Sequence, residues 1–157
     1  MTSITSKISI IILSLMASTF TFAEDKPAEE WLFVHTAEEA QVTNNTTIVM
    51  PVTRDVFAFT DRPYRKHAYI TAEVFASLWA KAGSNSFKTD PPNAVLTWVD
   101  GEDVKEAEVV ITGAQVAGGS ITYTTNTLSN TVGTLKSVSL FVDNFNTCLR
   151  PFSNKGC

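Results

Sequence analysis

The sequence contains few of the residues that build metal and redox centres, with two cysteines, two histidines and three methionines among 157 residues. It also lacks the Gly-x-Ser-x-Gly turn of serine hydrolases, the His-Glu-x-x-His helix of metalloproteases and a glycine-rich phosphate loop. We therefore predict no cofactor and no resident metal, and an enzyme is the less favoured interpretation.

Long apolar runs are also missing, apart from one stretch between residues 8 and 22. That stretch is shorter than the roughly 20 residues that span a bilayer, and the charged residues 24–26 follow it at once. Lys7 before it and a Thr-Phe-Ala tripeptide at its end are typical of a cleavable export signal. We predict that the signal peptide is residues 1–23, that no stable membrane insertion remains after cleavage, and that the mature protein is periplasmic or extracellular.

Basic residues are outnumbered by acidic ones. The sequence has 12 lysines and arginines against 16 aspartates and glutamates, and loss of Lys7 with the signal leaves 11 against 16, a net charge of −5. Binding to nucleic acid or to an anionic membrane surface requires clustered positive charge. The composition therefore argues against a nucleic-acid partner, and any basic patch has to be local.

The two cysteines, Cys148 and Cys157, both lie near the C-terminal end. An even number in an oxidising compartment favours a disulfide, whereas a zinc site needs four ligands and no histidine is near. Closing a loop of about ten residues restricts the unfolded chain by about 2.5–3 kcal/mol. We predict a single β-rich domain over residues 24–145 and a disulfide-pinned tail over residues 146–157.

The chain does contain a series of short apolar segments separated by turn residues, which is typical of antiparallel β-structure. Asn44-Asn45 and Asp100-Gly101 each separate two extended runs and predict hairpins, and Gly118-Gly119 predicts a third turn. The predicted fold class is mainly β, with seven or eight short antiparallel strands as a sandwich or small barrel. The predicted strands are 31–34, 41–43, 46–50, 56–59, 95–99, 104–112, 120–127 and 137–142.

One helix interrupts this pattern, between about residues 71 and 83. Thr71 is a suitable N-cap, and Gly83 is suited to end the helix. The apolar side chains recur at helical spacing and predict a face packed in the core, not a surface for stacking a ligand. These side chains are Val74, Phe75, Leu78, Trp79 and Ala82.

The segment from Asp61 to His67 concentrates charge in an otherwise acidic protein. Arg62 and Arg65 can bind a carboxylate or phosphate in bidentate fashion, and His67 can donate a proton or bind a metal. In the structural alternative, Asp61 forms an Asx turn before Pro63 and the arginines brace the connection to the helix. A mixed role is also open, with one guanidinium paired to Asp61 and the other facing an anionic ligand.

A second candidate is the Asp-Pro-Pro-Asn segment at residues 90–93, where paired prolines hold the backbone extended. Asp90 and Asn93 then present oxygen atoms to a ligand, and the alternative is that the segment only leads into the next strand. A metal site formed by His35 and His67 requires the fold to bring these two residues together.

Three motifs occur in order along the chain, Phe-x-Asp-Arg-Pro-x-Arg, then Phe-x-x-x-Trp, then Ser-Phe followed by Asp-Pro-Pro-Asn-Ala. Together they resemble a group of small exported proteins with no established activity. The resemblance covers about residues 31–96 and implies that these segments form one unit, without implying a catalytic role for any residue. The matching residues are Phe59, Asp61, Arg62, Pro63, Arg65, Phe75, Trp79, Ser86, Phe87 and 90–94.

The sequence leaves three hypotheses about function open. In the first, a non-enzymatic exported domain binds a small anionic ligand or a protein partner. In the second, a small hydrolase or metal-assisted enzyme uses Asp61, His67 and Asp90 as acid–base groups. In the third, the protein is structural and docks a partner through an exposed strand edge or its tail. The candidate binding residues are Asp61, Arg62, Arg65, His67, Asp90 and Asn93.

Overall fold

The structure is a computed structural model that describes residues 29–83, 86–126, 128 and 131–144. Within these ranges it contains eight strands and one helix, so the predicted mainly β class is confirmed. The predicted signal peptide, residues 1–23, and the predicted Cys148–Cys157 disulfide lie outside the described residues. The elements are β1 (Trp31–Asn44), β2 (Thr47–Pro51), β3 (Val56–Thr60), β4 (His67–Ile70), α1 (Ala72–Ala80), β5 (Asn93–Asp100), β6 (Asp103–Ala117), β7 (Ser120–Thr125) and β8 (Gly133–Asn144).

The strands form one sheet that closes on itself. One edge of β1 pairs with β8, and the other edge pairs first with β3 and then with β2. From β2 the pairing continues through β7, β6 and β5 back to β8. The hydrogen-bonded ring β1-β2-β7-β6-β5-β8 is therefore a small antiparallel barrel, one of the two arrangements predicted. The β3–β4 hairpin extends from the first part of β1 outside this ring.

The helix α1 packs against β6 and contributes aromatic side chains to the core. The ring of Phe75 lies 5.2 Å from that of Phe33, and the ring of Trp79 lies 4.7 Å from that of Phe87. Trp79 Nε1 donates a hydrogen bond of 2.7 Å to the Ile111 carbonyl oxygen, which satisfies its polar atom in the interior. The aromatic residues of the helix are thus core residues, as predicted.

The helix ends earlier than the sequence predicts. Thr71 is the N-cap, and its hydroxyl accepts from the Val74 amide at 3.4 Å. The helix stops before Lys81, which is extended with φ −73° and ψ 136°, so Gly83 does not end it. Val74 and Ala82 are exposed and do not belong to the core. Phe87 is buried with its ring 4.7 Å from that of Trp79, whereas a helix continued to Phe87 would separate these residues by about 12 Å along its axis.

Two strand predictions are corrected. Segments 31–34 and 41–43, predicted as separate strands, are the two ends of β1. Residues 37–40, an Ala-Glu-Glu-Ala sequence, have low β propensity, but pairing with β8 holds them extended, and Lys136 Nζ lies 2.6 Å from Glu39 Oε2. Strand β4 is not predicted at all, because it is only four residues long. The charged segment therefore connects β3 to β4, not a strand to the helix.

Candidate binding surface

The charged segment after β3 forms the loop of the β3–β4 hairpin. The Asp61 carbonyl oxygen accepts hydrogen bonds from the amides of Tyr64 and Arg65, both at 3.1 Å. The Asp61 carboxylate accepts from the Arg62 amide at 2.6 Å. The backbone of the loop is therefore held by hydrogen bonds that do not involve the guanidinium groups.

The arginine side chains of this loop are exposed. Across residues 29–83, 86–126, 128 and 131–144, neither Arg62 nor Arg65 forms an ion pair. Lys66 differs, because its ammonium group pairs with Glu29 and lies 5.7 Å from the centre of the Tyr64 ring. Two guanidinium groups thus remain available to an anionic group.

Beside this loop, the outward face of the sheet is apolar across five adjacent strands. Cross-strand pairing joins Tyr69 to Phe57, Phe57 to Val34, Val34 to Phe141, and Phe141 to Val95. We call these five residues the outer row. With strands about 4.8 Å apart, the row is about 19 Å long. Antiparallel sheets usually present polar side chains to solvent, so this row is more apolar than a barrel surface requires.

Ring contacts on the β3–β4 hairpin extend the outer row sideways. The ring of Phe57 stacks on that of Phe59 at 5.6 Å and lies 5.1 Å from that of Tyr69. The ring of His67 lies 6.4 Å from that of Phe57. Tyr69 is 65 % exposed and Phe141 is 41 % exposed. The exposed Tyr69 ring is thus already held by the Phe57 ring, which lowers the entropy cost of covering it.

A second outward row separates two of the predicted site residues. Phe59 pairs with both His67 and Leu32, and Leu32 pairs with Asp143. Asn93 continues this row on β5, because the next residue, Ala94, pairs with Val142, the residue before Asp143. His67 and Asn93 therefore lie at opposite ends of the row, about 19 Å apart. The structure does not bring Asn93 to the basic loop.

The other residue of the second predicted candidate, Asp90, also lies on the β5 side. Its amide donates to the Ser86 carbonyl oxygen at 2.8 Å in a helical turn before β5, and its side chain is exposed. The predicted binding residues thus occupy two separate places. Asp61, Arg62, Arg65 and His67 lie on the β3–β4 hairpin, whereas Asp90 and Asn93 lie near the start of β5.

A groove of about 540 Å³ lies at the β5 end of the outer row. Its apolar lining includes Leu32, Val95 and Phe141, and its two carboxylates belong to Asp143 and Glu108. The outward face therefore has negative charge at its β5 end and positive charge at the β3–β4 loop. The apolar row connects these two ends.

The two histidines lie on opposite faces of the sheet. His67 is exposed, whereas His35 points into the barrel and is 1 % exposed. The Nδ1 atom of His35 lies 2.8 Å from the Tyr123 hydroxyl, and its Nε2 atom lies 3.2 Å from the Pro51 carbonyl oxygen. Burial lowers the pKa of His35, partly opposed by the Pro51 hydrogen bond, and burial raises the pKa of Tyr123.

The lowered pKa of His35 favours its neutral form, and because the Pro51 carbonyl oxygen can only accept, we assign the proton to Nε2 and the acceptor role toward the Tyr123 hydroxyl to Nδ1. The assignment gives both side chains a hydrogen-bond partner in the interior. From the sequence, His35 is a candidate only for a metal site with His67, and its pairing with Tyr123 is not predicted. A polar residue at an inward position of an apolar strand is the signal that indicates a buried hydrogen bond.

The outer row is also not among the sequence predictions. The signal is present in the Trp-Leu-Phe-Val sequence at the start of β1, where consecutive residues are apolar. Since successive side chains of a strand face opposite sides, such a run makes both faces of the sheet apolar.

Comparisons with protein-family models, with curated proteins and with solved structures gave no match to this chain. In the described part of the chain, no helix has both the length and the apolar character needed to cross a membrane. The same residues contain no cluster of three or more His, Cys, Asp or Glu side chains arranged to hold a metal ion. The features of the described residues that bear on function are the outward face and the loop beside it.

Proposed function

We propose that this protein is an exported binding domain that docks a protein partner on the outer row, with the basic β3–β4 loop at its rim. The observation that carries the proposal is the outer row itself, five adjacent outward positions that are all apolar. Contiguous exposed apolar surface marks interaction sites, and aromatic and arginine side chains dominate binding energy at protein interfaces. Export after residue 23 and the Cys148–Cys157 disulfide belong to the same proposal.

A small anionic ligand has less support than a protein partner. The groove lies at the end of the face that carries Asp143 and Glu108, where an anion is repelled. The guanidinium groups of Arg62 and Arg65 are on the loop at the other end. A partner large enough to cover the apolar row contacts both ends at once.

The hydrolase alternative also has less support. General acid–base catalysis requires the groups involved to reach the same reacting atoms, at about 3 Å from each. His67 lies on β4 and Asp90 lies just before β5, and β3, β1 and β8 separate these strands. Asp61 uses a carboxylate oxygen to accept from the Arg62 amide. This separation favours binding over catalysis.

Site-specific photo-crosslinking in the cells that make the protein tests this function. Benzoylphenylalanine is placed at Tyr69 or Phe141 and, as a control, at Gln115, an exposed residue of β6 outside the row. We expect discrete adducts of the same partner protein from the two outer-row positions and none from Gln115. Mass spectrometry identifies the adduct, and native mass spectrometry of the purified protein tests for a retained small anion.

The same experiment can contradict the proposal. Equal adduct yields at all three positions indicate non-specific contact, and the absence of adducts at all three indicates that the row is not covered. A small anion retained in native spectra without a protein adduct favours the ligand hypothesis instead.

A further inference from the structure

The outer edge of β4, which is the edge that does not pair with β3, presents the backbone hydrogen-bonding groups of alternate residues. The Thr60 amide donates to the Lys66 carbonyl oxygen at 2.9 Å, and the register of β3 and β4 places these two residues opposite each other. They therefore form one of the hydrogen-bonded pairs of the antiparallel ladder. Since such pairs alternate with non-hydrogen-bonded ones, the N–H and C=O groups of His67 and Tyr69 are directed away from β3.

This edge is open in the described part of the structure. β4 is the last strand in the sheet order, and no described strand pairs with its outer side. His67 and Tyr69 are both exposed, and no described residue is a hydrogen-bond partner of their backbone groups at that edge. Four backbone groups are thus available to an additional strand.

The charge next to this edge indicates whether an added strand should be acidic or basic. Arg62 and Arg65 are exposed without ion pairs among the described residues, and both belong to the loop that leads into β4. A basic strand placed at this edge is repelled, whereas an acidic strand is attracted.

Resting on the proposed docking function, we propose that the β4 edge binds an extended acidic segment of the partner protein as an additional antiparallel strand. Strand addition obtains affinity from main-chain hydrogen bonds and specificity from alternate side chains. The added strand continues the sheet beyond β4, so its outward side chains lie beside the outer row. Charge complementarity with the loop is what identifies the segment as acidic.

The register predicts a short pattern in the partner. A residue opposite Tyr69 has its side chain on the outward face and prolongs the outer row, so it is apolar. The residue two positions later lies opposite His67, and the residue four positions later lies beside Arg65. Because these two positions face the basic end, the predicted pattern is apolar-x-acidic-x-acidic.

The test is binding of a designed peptide to the mature full-length protein by isothermal titration calorimetry. The probe is acetyl-Thr-Val-Thr-Val-Thr-Glu-Ser-Glu-amide, whose second valine takes the position opposite Tyr69. One control peptide has lysine in place of both glutamates. A second control carries N-methyl groups on the amides of the second valine and the first glutamate, which removes the donors that face the edge but leaves the charge.

We expect saturable binding of the probe and at least about tenfold weaker binding of each control, because each loses charged or main-chain hydrogen bonds. The protein variant Arg65→Asn, chosen because Asn tolerates the positive φ of 50° at this position, should weaken probe binding about threefold to tenfold. A control variant, Gln115→Asn on β6, should bind the probe as wild type does.

Three results overturn the inference: no saturable binding of the probe, equal binding of the N-methylated peptide, or a protein dimer in sedimentation that the probe does not dissociate. The first two exclude strand addition, and the third assigns the edge to a second copy. If the probe does not bind but photo-crosslinks still form at the outer row, the docking function is retained and only strand addition at β4 is rejected.

Discussion

The inner and outer faces of the same strands differ in what their apolar side chains do. The inner row formed by Ala58, Phe33, Val142 and Ala94 is buried, and its largest member contacts other rings of the core. The outer row lies one residue along each of these strands and is partly open to solvent. Burial in the folded protein accounts for the first row, whereas Tyr69 and Phe141 of the second row remain 65 % and 41 % exposed. This difference leads us to infer an interaction surface.

The comparison predicts that substitutions in the two rows affect different properties. Burying an apolar side chain in the interior stabilises the fold through transfer from water and through packing contacts. A side chain that stays exposed after folding is not transferred out of water and makes few packing contacts, so it contributes little to stability. Inner-row variants should therefore lower stability, and outer-row variants should lower binding.

The largest effect is expected for Phe33→Ala, which should reduce the free energy of unfolding by about 3–5 kcal/mol. The Phe33 ring is fully buried and lies 5.2 Å from that of Phe75 and 6.3 Å from that of Phe87, so truncation leaves a cavity. Urea unfolding followed by tryptophan fluorescence measures the loss. The milder Phe33→Leu variant, expected to lose about 1.5 kcal/mol, keeps the prediction measurable if the alanine variant does not fold. A loss below 1 kcal/mol for Phe33→Ala would show that this ring is not part of a tight core.

The next effect concerns the polar pair in the same interior. Tyr123→Phe removes the hydroxyl that lies 2.8 Å from His35 Nδ1 and leaves that nitrogen without this partner, at a cost of about 1–3 kcal/mol. The matched control is Tyr69→Phe, which removes an exposed hydroxyl and should change stability by less than about 0.5 kcal/mol. Equal urea midpoints for the two variants would contradict a buried hydrogen bond at His35.

A pH dependence follows from His35. Its pKa is lower in the folded protein than the ordinary value of 6.5, because burial disfavours the imidazolium form. The unfolded chain therefore binds a proton that the folded protein excludes, so this stabilising contribution is complete above about pH 6.5 and is lost as the pH falls below it. Thermal melts between pH 7.5 and 5 should show a smaller decrease for His35→Gln than for wild type. Parallel pH profiles would contradict the assignment of a buried neutral imidazole.

Local chemistry explains which parts of the fold could be predicted from sequence. The turns at Asp100-Gly101 and Gly118-Gly119 depend on residues that accept positive φ, and Gly101 and Gly118 have φ values of 65° and 56°. The capping of α1 by Thr71 is equally local. These features depend on a few adjacent residues, so they are predictable from the sequence.

Features that depend on distant pairing were not predictable in the same way. The middle of β1 is extended because it pairs with β8, and β4 exists because it pairs with β3. The outer row takes residues from five strands, from Val34 to Phe141 in sequence, and only the register aligns them. For the same reason, the sequence groups Asn93 with the candidate binding residues of the Asp61–His67 segment, although four strand spacings separate Asn93 from His67.

The smallest stability effects are expected at the basic rim of the outer row. Arg62→Gln and Arg65→Asn should each change the free energy of unfolding by less than about 0.5 kcal/mol, because neither guanidinium forms an ion pair among the described residues and both side chains are exposed. The loop keeps its backbone hydrogen bonds to the Asp61 carbonyl oxygen in both variants. Differential scanning calorimetry at low and at physiological salt measures the effect. If either variant melts several degrees below wild type, that arginine braces the loop, and the positive charge available to an acidic strand is reduced to the other one.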